Sequence, residues 1–223
     1  MDTAVSLVQA YLHVNGYFTV VEHPVLESLR AGQVRTVTDL DVLAYRLPGA
    51  GHDLIHRRSG TVPQRLSSEV DPALGAPTGR ADMIVGEVKE GRARLNPALR
   101  DPATLEVALA RFGCCPAEEA RDVSRRLLDH GRAATRAGHE IRVVAFGGTP
   151  GQVEPHNPWT TVPMNHVVKY LQAYLHAHWQ VLRHAQIHDE GLAVLALMEK
   201  WATAGQIDLH PQVQAAADPT ACA

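Results

Sequence analysis

Two apolar stretches interrupted by acids constrain this chain more than any other feature. In Thr38-Asp39-Leu40-Asp41-Val42-Leu43-Ala44, strand alternation places Asp39 and Asp41 on one side and Leu40, Val42 and Ala44 on the other. In Met83-Ile84-Val85-Gly86-Glu87-Val88-Lys89, the same arithmetic puts Glu87 beside Lys89 while Ile84 and Val88 face a core. Both segments have the character of inner strands, where an unpaired carboxylate is costly. A fold that buries them must bring in a compensating charge.

The rest of the chain reads around these strands. Residues 4–14 carry apolar side chains at helical spacing and stop at Asn15-Gly16. Residues 17–25 and 35–47 have strand composition, with Pro24 weakening the end of the first. Between Pro48 and Gly79 the chain is dense in Gly, Pro and Ser, which predicts a long loop facing a substrate. Strand character returns over 80–89. Helices are expected over 102–112 and 116–137, each opening on a proline. Residues 140–146 form a short buried strand, and 163–201 read as two helices parted near Asp189-Glu190-Gly191. This order predicts an α/β fold, a mixed central sheet flanked by helices with a helical C-terminal extension. It divides into a core over 1–160, a helical extension packed on it over 161–204, and a flexible tail over 205–223.

Composition narrows the function. The 223 residues hold 21 Lys+Arg against 24 Asp+Glu, a net charge of -3, so a histone-like basic coat is excluded while a local basic groove is not. The 45% hydrophobic content is enough for a core. No apolar run reaches membrane-span length, and the start lacks a signal-peptide layout, so a cytoplasmic protein is expected. Three cysteines, two of them adjacent as Cys114-Cys115, offer neither a disulfide framework nor a Cys-x-x-Cys zinc pair.

A divalent cation is the natural compensation for the acids. Mg²⁺ takes oxygen ligands and commonly binds through one or two carboxylates, waters and a substrate phosphate. Lys89 would then meet the attacking water or the phosphate oxygens, as a charge stabiliser or, with a lowered pKa, as a base. On these residues, Asp39-Leu40-Asp41 followed by Gly86-Glu87-Val88-Lys89, the chain resembles the PD-(D/E)xK nucleases, the restriction-endonuclease-like superfamily, and within it the Holliday-junction-resolvase and Mrr-like branches. The resemblance covers residues 4–146. It implies a helix packed on a sheet whose second and third strands carry an acid and then acid-x-Lys. It also implies Mg²⁺- or Mn²⁺-dependent phosphodiester hydrolysis, of DNA rather than RNA. Asp41 matches the first acid, Glu87 the second and Lys89 the lysine. Asp39 is an auxiliary ligand or a structural residue. Many members carry a glutamate on the first helix; residues 4–14 contain no acid, so Glu22 on the following strand is the substitute. The Gln-x-x-x-Tyr motif of the RecB-like branch is missing.

Arg57, Arg58 and Arg65 on the long loop, with Arg92 and Arg94 after Lys89, would set positive charge beside the acids to hold phosphates. Cutting two strands needs two sites, so a homodimer, or a partner protein supplying specificity, is expected. Two readings compete with the nuclease: an inactive nuclease fold serving as a scaffold or nucleic-acid-binding subunit, and an Asp-x-Asp sugar transferase. Other features read as ordinary. His184 and His188 at helical i,i+4 spacing, and His52 and His56, lack a third ligand. The face of Arg121, Arg125, Arg126, Arg132 and Arg136 has interleaved acids, Trp159 and Tyr45 suit a core boundary, and Gly147-Gly148-Thr149-Pro150-Gly151 lacks the ending of a phosphate loop.

Overall fold

A computed structural model describes residues 2–55, 64–67, 70–148 and 158–209, with the backbone alone at 31, 52–55 and 64–67. The expected α/β architecture is present. Helix α1 (Thr3–Val14) is capped by Asp2, whose carboxylate accepts the Ala4 N–H at 2.9 Å. Its apolar stripe, Val8, Tyr11 and Leu12, is fully buried. A six-stranded mixed sheet follows, built from β1 (Phe18–Ser28), β2 (Val34–Arg46), β5 (Asp82–Lys89), β6 (Arg132–Ala134), β7 (Glu140–Gly147) and β8 (Thr160–Val162). Its order is β1-β2-β5-β7-β6. Strands β1, β2 and β5 run antiparallel, and β5 and β7 pair in parallel from Asp82↔Glu140 to Lys89↔Gly147. Beyond β7, β6 pairs with the first half of its free edge and β8 with the second.

Helices cover both faces, which is why β5 reads as a continuous apolar run. Helices α1, α4 (Met164–Leu182) and α5 (Glu190–Thr203) share one core with Val42, Ala44, Ile84, Val88, Val144 and Phe146. Helices α2 (Pro102–Phe112) and α3 (Ala117–His130) share the other with Leu43, Met83, Val85, Ile141, Val143 and Ala145. The C-terminal helices therefore complete a core that α1 opens. No helix among the described residues is long and apolar enough to cross a membrane.

Four expectations need correction. The stretch from Pro48 to Gly79 contains a small antiparallel ribbon, β3 (His52–Ile55) with β4 (Gln64–Ser67), and a turn of 3₁₀ helix at Pro72–Leu74. Helix α3 ends at His130, because Gly131 takes a left-handed φ of 69° and its α-carbon lies against the Pro158 backbone, leaving no space for a side chain. Strand β1 runs past Pro24 to Ser28, which an edge strand tolerates because its outer N–H groups need no partner. His184 and His188 lie in the link after α4, so they do not share a helical face.

Two buried polar clusters pin the framework. Arg142 grips Asp82 with Nε at 2.8 Å and Nη2 at 2.6 Å, and also donates to the Leu74 carbonyl, while the Tyr17 hydroxyl donates to Asp82 at 2.5 Å. Asp71 accepts from the Tyr11 hydroxyl at 2.7 Å and the Ala73 N–H at 2.9 Å, with His166 Nε2 at 2.6 Å. The first cluster sits at the opening end of β5, away from Glu87 and Lys89.

Candidate active site

Strands β2 and β5 pair from Arg46↔Asp82 to Val42↔Gly86, and there the ladder ends. Beyond Val42, β2 continues with β1 alone as a two-stranded ribbon. Asp41 stands at this fork. Its Oδ2 accepts the Val88 N–H at 2.7 Å, so a side chain replaces the missing ladder partner. Across the ribbon, the pairs Val21↔Val42 and His23↔Leu40 bracket Glu22 and Asp41. Glu22 has a φ of 51°, the one positive value at a non-glycine among the described residues, in a region that L residues enter at a cost. The strand changes phase at the same point: Leu40 packs in the α2/α3 core, whereas Val42 and Ala44 pack in the other. The expectation that Leu40, Val42 and Ala44 share one face is therefore wrong, because regular alternation breaks at the fork.

Glu87 lies one step past the last β2–β5 pair. It is 1% exposed, with the Lys89 ammonium and the Asn96 backbone N–H as its favourable polar neighbours. The Lys89 ammonium lies 2.5 Å from Glu87 Oε1 and 3.8 Å from Asp41 Oδ2. One cation thus bridges two acids. Burial pushes the Glu87 carboxyl above its ordinary pKa; the facing Lys89 and the Asn96 backbone N–H oppose this and the Asp41 charge adds to it. For Lys89, burial pulls the other way, but Glu87, Asp41 and Asp2 together raise it, so it is held as a cation. Asp2 is the acid that sequence reasoning missed. It sits at the N-cap of α1, ahead of the helical residues, and its charge reaches Lys89 only because α1 packs over the sheet. The Asp-Thr pair before an apolar helix was the available signal.

The chain after β5 is held firmly. Gly147, with φ of 141°, ends β7 with its α-carbon against the Lys89 carbonyl oxygen, where a side chain would collide. Asn96 donates to Thr38 Oγ1 at 3.1 Å and accepts the Ala98 N–H at 3.1 Å, tying this segment to the β1–β2 ribbon. Between Lys89 and the segment lies a groove of about 470 Å³ lined by Lys89, Arg94, Leu95, Asn96, Pro97 and Arg100.

The structure thus joins Asp41, Glu87 and Lys89. Asp39 is exposed on the ribbon, and no side-chain bond or ion pair among the described residues links it to the three. Glu22 is exposed and faces Asp41 across the ribbon backbone. Arg94 lines the groove, Arg92 is an exposed neighbour, and Arg57 and Arg58 lie outside the described residues, as does the side chain of Arg65. Among the described residues no three or more His, Cys, Asp or Glu side chains gather around one point. The donor set is the Asp41–Glu87 pair, hard oxygens in the number with which Mg²⁺ commonly binds, and both already face one cation, Lys89. Cys114 is buried with its thiol pushed up to about 12, chiefly by desolvation, so it is no nucleophile. No protein-family model, curated protein or solved structure matches the chain.

Proposed function

We propose that this protein hydrolyses phosphodiester bonds in nucleic acid, DNA rather than RNA, with Asp41, Glu87 and Lys89 as its reactive centre. The observation that carries the reading is Glu87: a carboxylate 1% exposed whose burial raises its pKa in spite of the ion pair with Lys89, a cation that also reaches Asp41. Such a group destabilises a fold and is retained where chemistry needs it. The order helix, strand, acid-bearing strand, acid-x-Lys strand supports the same reading.

Asp41 and Glu87 would hold Mg²⁺ or Mn²⁺, which when bound supplies charge neutralisation at the phosphate and a water of lowered pKa. Lys89 is held cationic by its acidic neighbours, so its part is to stabilise negative charge growing on the phosphate oxygens rather than to take a proton. Asp41 also fixes the fork through the Val88 N–H, so the acid that binds also positions the strand carrying Glu87 and Lys89. Severing both strands of a duplex would need a second copy or a partner protein.

The test incubates plasmid, single-stranded DNA and RNA with Mg²⁺, Mn²⁺ or chelator, beside Asp41→Ala and Lys89→Ala controls shown to be folded. Metal-dependent cleavage lost in both variants is expected; no cleavage together with no divalent-metal heat in calorimetry refutes the reading. A second reading, a scaffold with a purely structural ion triad, is favoured by the 2.5 Å Lys89–Glu87 contact and predicts that calorimetric null.

A further inference from the structure

The groove beside Lys89 has a composition of its own. It is lined by three cations, Lys89, Arg94 and Arg100, by the apolar Leu95 and Pro97, and by Asn96, with no carboxylate, in a chain whose net charge is -3. Neither Arg94 nor Arg100 pairs with an acid among the described residues. The guanidinium of Arg100 instead lies over the Trp159 ring, 5.6 Å from its centroid. Trp159 is itself packed against the α2/α3 core, so Arg100, an exposed residue, rests on a fixed support. Asn96, in the groove wall, is tied to Thr38, and the Lys89 backbone is held by the close approach of Gly147.

Cations alternating with apolar surface fit a strand whose phosphates and bases both need partners. Guanidinium planes accept stacked bases when those bases are unpaired. A duplex keeps its bases stacked on each other and presents phosphates only.

We propose that this groove takes a single phosphodiester strand with unpaired bases, its phosphates on Lys89 and Arg94 and one base stacked on Arg100 over Trp159. The inference rests on the nuclease reading for the role of Lys89 and adds the form of the substrate, a single strand or an unpaired end. Arg100 is then a residue that selects substrate form.

The experiment is fluorescence anisotropy in chelator, so that no turnover intrudes, with a labelled mixed-sequence 12-nucleotide single strand, its blunt duplex, and a mononucleotide competitor. It uses the full chain and variants Arg94→Gln, Arg100→Gln and Arg100→Lys, each checked for an unchanged melting temperature. The single strand should bind several-fold tighter than the duplex, and the mononucleotide should compete poorly. The Arg94→Gln/Arg100→Gln double variant should reduce the slope of log K against log salt by about 0.7, the value of the one phosphate contact that Arg94 makes to a single strand. Arg100→Lys should keep the salt slope yet lose about fivefold or more in affinity, because it keeps charge and loses the stacking plane. Equal affinity for duplex and single strand, an unchanged salt slope in the double variant, or wild-type affinity in Arg100→Lys would overturn the proposal. Failure of the nuclease reading shows separately, as intact strand binding with no metal-dependent cleavage sensitive to Lys89→Ala.

Discussion

Replacing Glu87 by glutamine should stabilise the metal-free protein while abolishing the cleavage proposed for it. The carboxylate is 1% exposed, and burial outweighs Lys89 and the Asn96 N–H, so the fold disfavours its charged form. Glutamine keeps the shape and removes the charge. It forfeits the contact with Lys89, whose side chain is 40% exposed and can turn to water, so the net gain should be about 1 kcal/mol. For a domain of this size that is about 2–4 °C in melting temperature. The pH dependence follows from the raised pKa of Glu87. The fold favours its protonated form, so that contribution to stability is complete below the ordinary 4.5 and lost as pH rises through the folded value. The Glu87→Gln advantage should therefore be present at pH 7.5 and absent near pH 4. Scanning calorimetry in chelator at both values measures it. A variant melting several degrees below wild type at pH 7.5 would refute the reasoning and show the Glu87 charge to be structurally supported.

Three further outcomes are expected. Asp82→Asn leaves the buried Arg142 guanidinium without its bidentate counter-charge and should cost about 3–5 kcal/mol in urea unfolding, where a loss under 1 kcal/mol would contradict the pairing. Gly147→Ala places a methyl group against the Lys89 carbonyl at a φ of 141°, so it should lower cleavage rate at least as sharply as it lowers stability, and wild-type turnover would count against the close approach. Asp71 is held below its ordinary pKa: burial opposes this, but Tyr11, the Ala73 N–H and His166 outweigh it. Its contribution is present above about pH 3.8 and lost as pH falls through the lower folded value, so Asp71→Asn should flatten that acid limb in a melting series, and an unchanged limb would exclude it.

Helices and the inner strands were legible because their periods are long enough to register. Residues 102–112 match α2, and the break at Asp189-Glu190-Gly191 is where α5 begins, with Asp189 as its cap. Strands β6 and β8 have three residues each, too few for alternation to show. The β3 and β4 segments are short and polar among glycines and prolines, so nothing local marks them. Of the site, the acids could be read because a carboxylate inside an apolar strand is conspicuous. Asp2 and the Glu22–Asp41 irregularity could not, since one depends on how a helix packs and the other on which strand leaves the sheet. Asp39 was grouped with Asp41 on an alternation that the ribbon does not keep. The Asp82–Arg142 and Tyr11–Asp71–His166 clusters join residues about 60 to 95 positions apart and leave no local pattern.

Because α4 and α5 seal the same core as α1, the order of synthesis matters. The α1 face of the sheet, with Val8, Leu12, Val144 and Phe146, has no cover until Val167, Leu171, Leu175 and Leu195 have been made. At about 5–20 residues per second, the roughly fifty residues from β7 to Leu195 take about 3–10 s, during which a greasy plane stays open on the nascent chain. A gene shortened after codon 160 would make that interval permanent, and its product should collect in inclusion bodies rather than as a smaller folded protein.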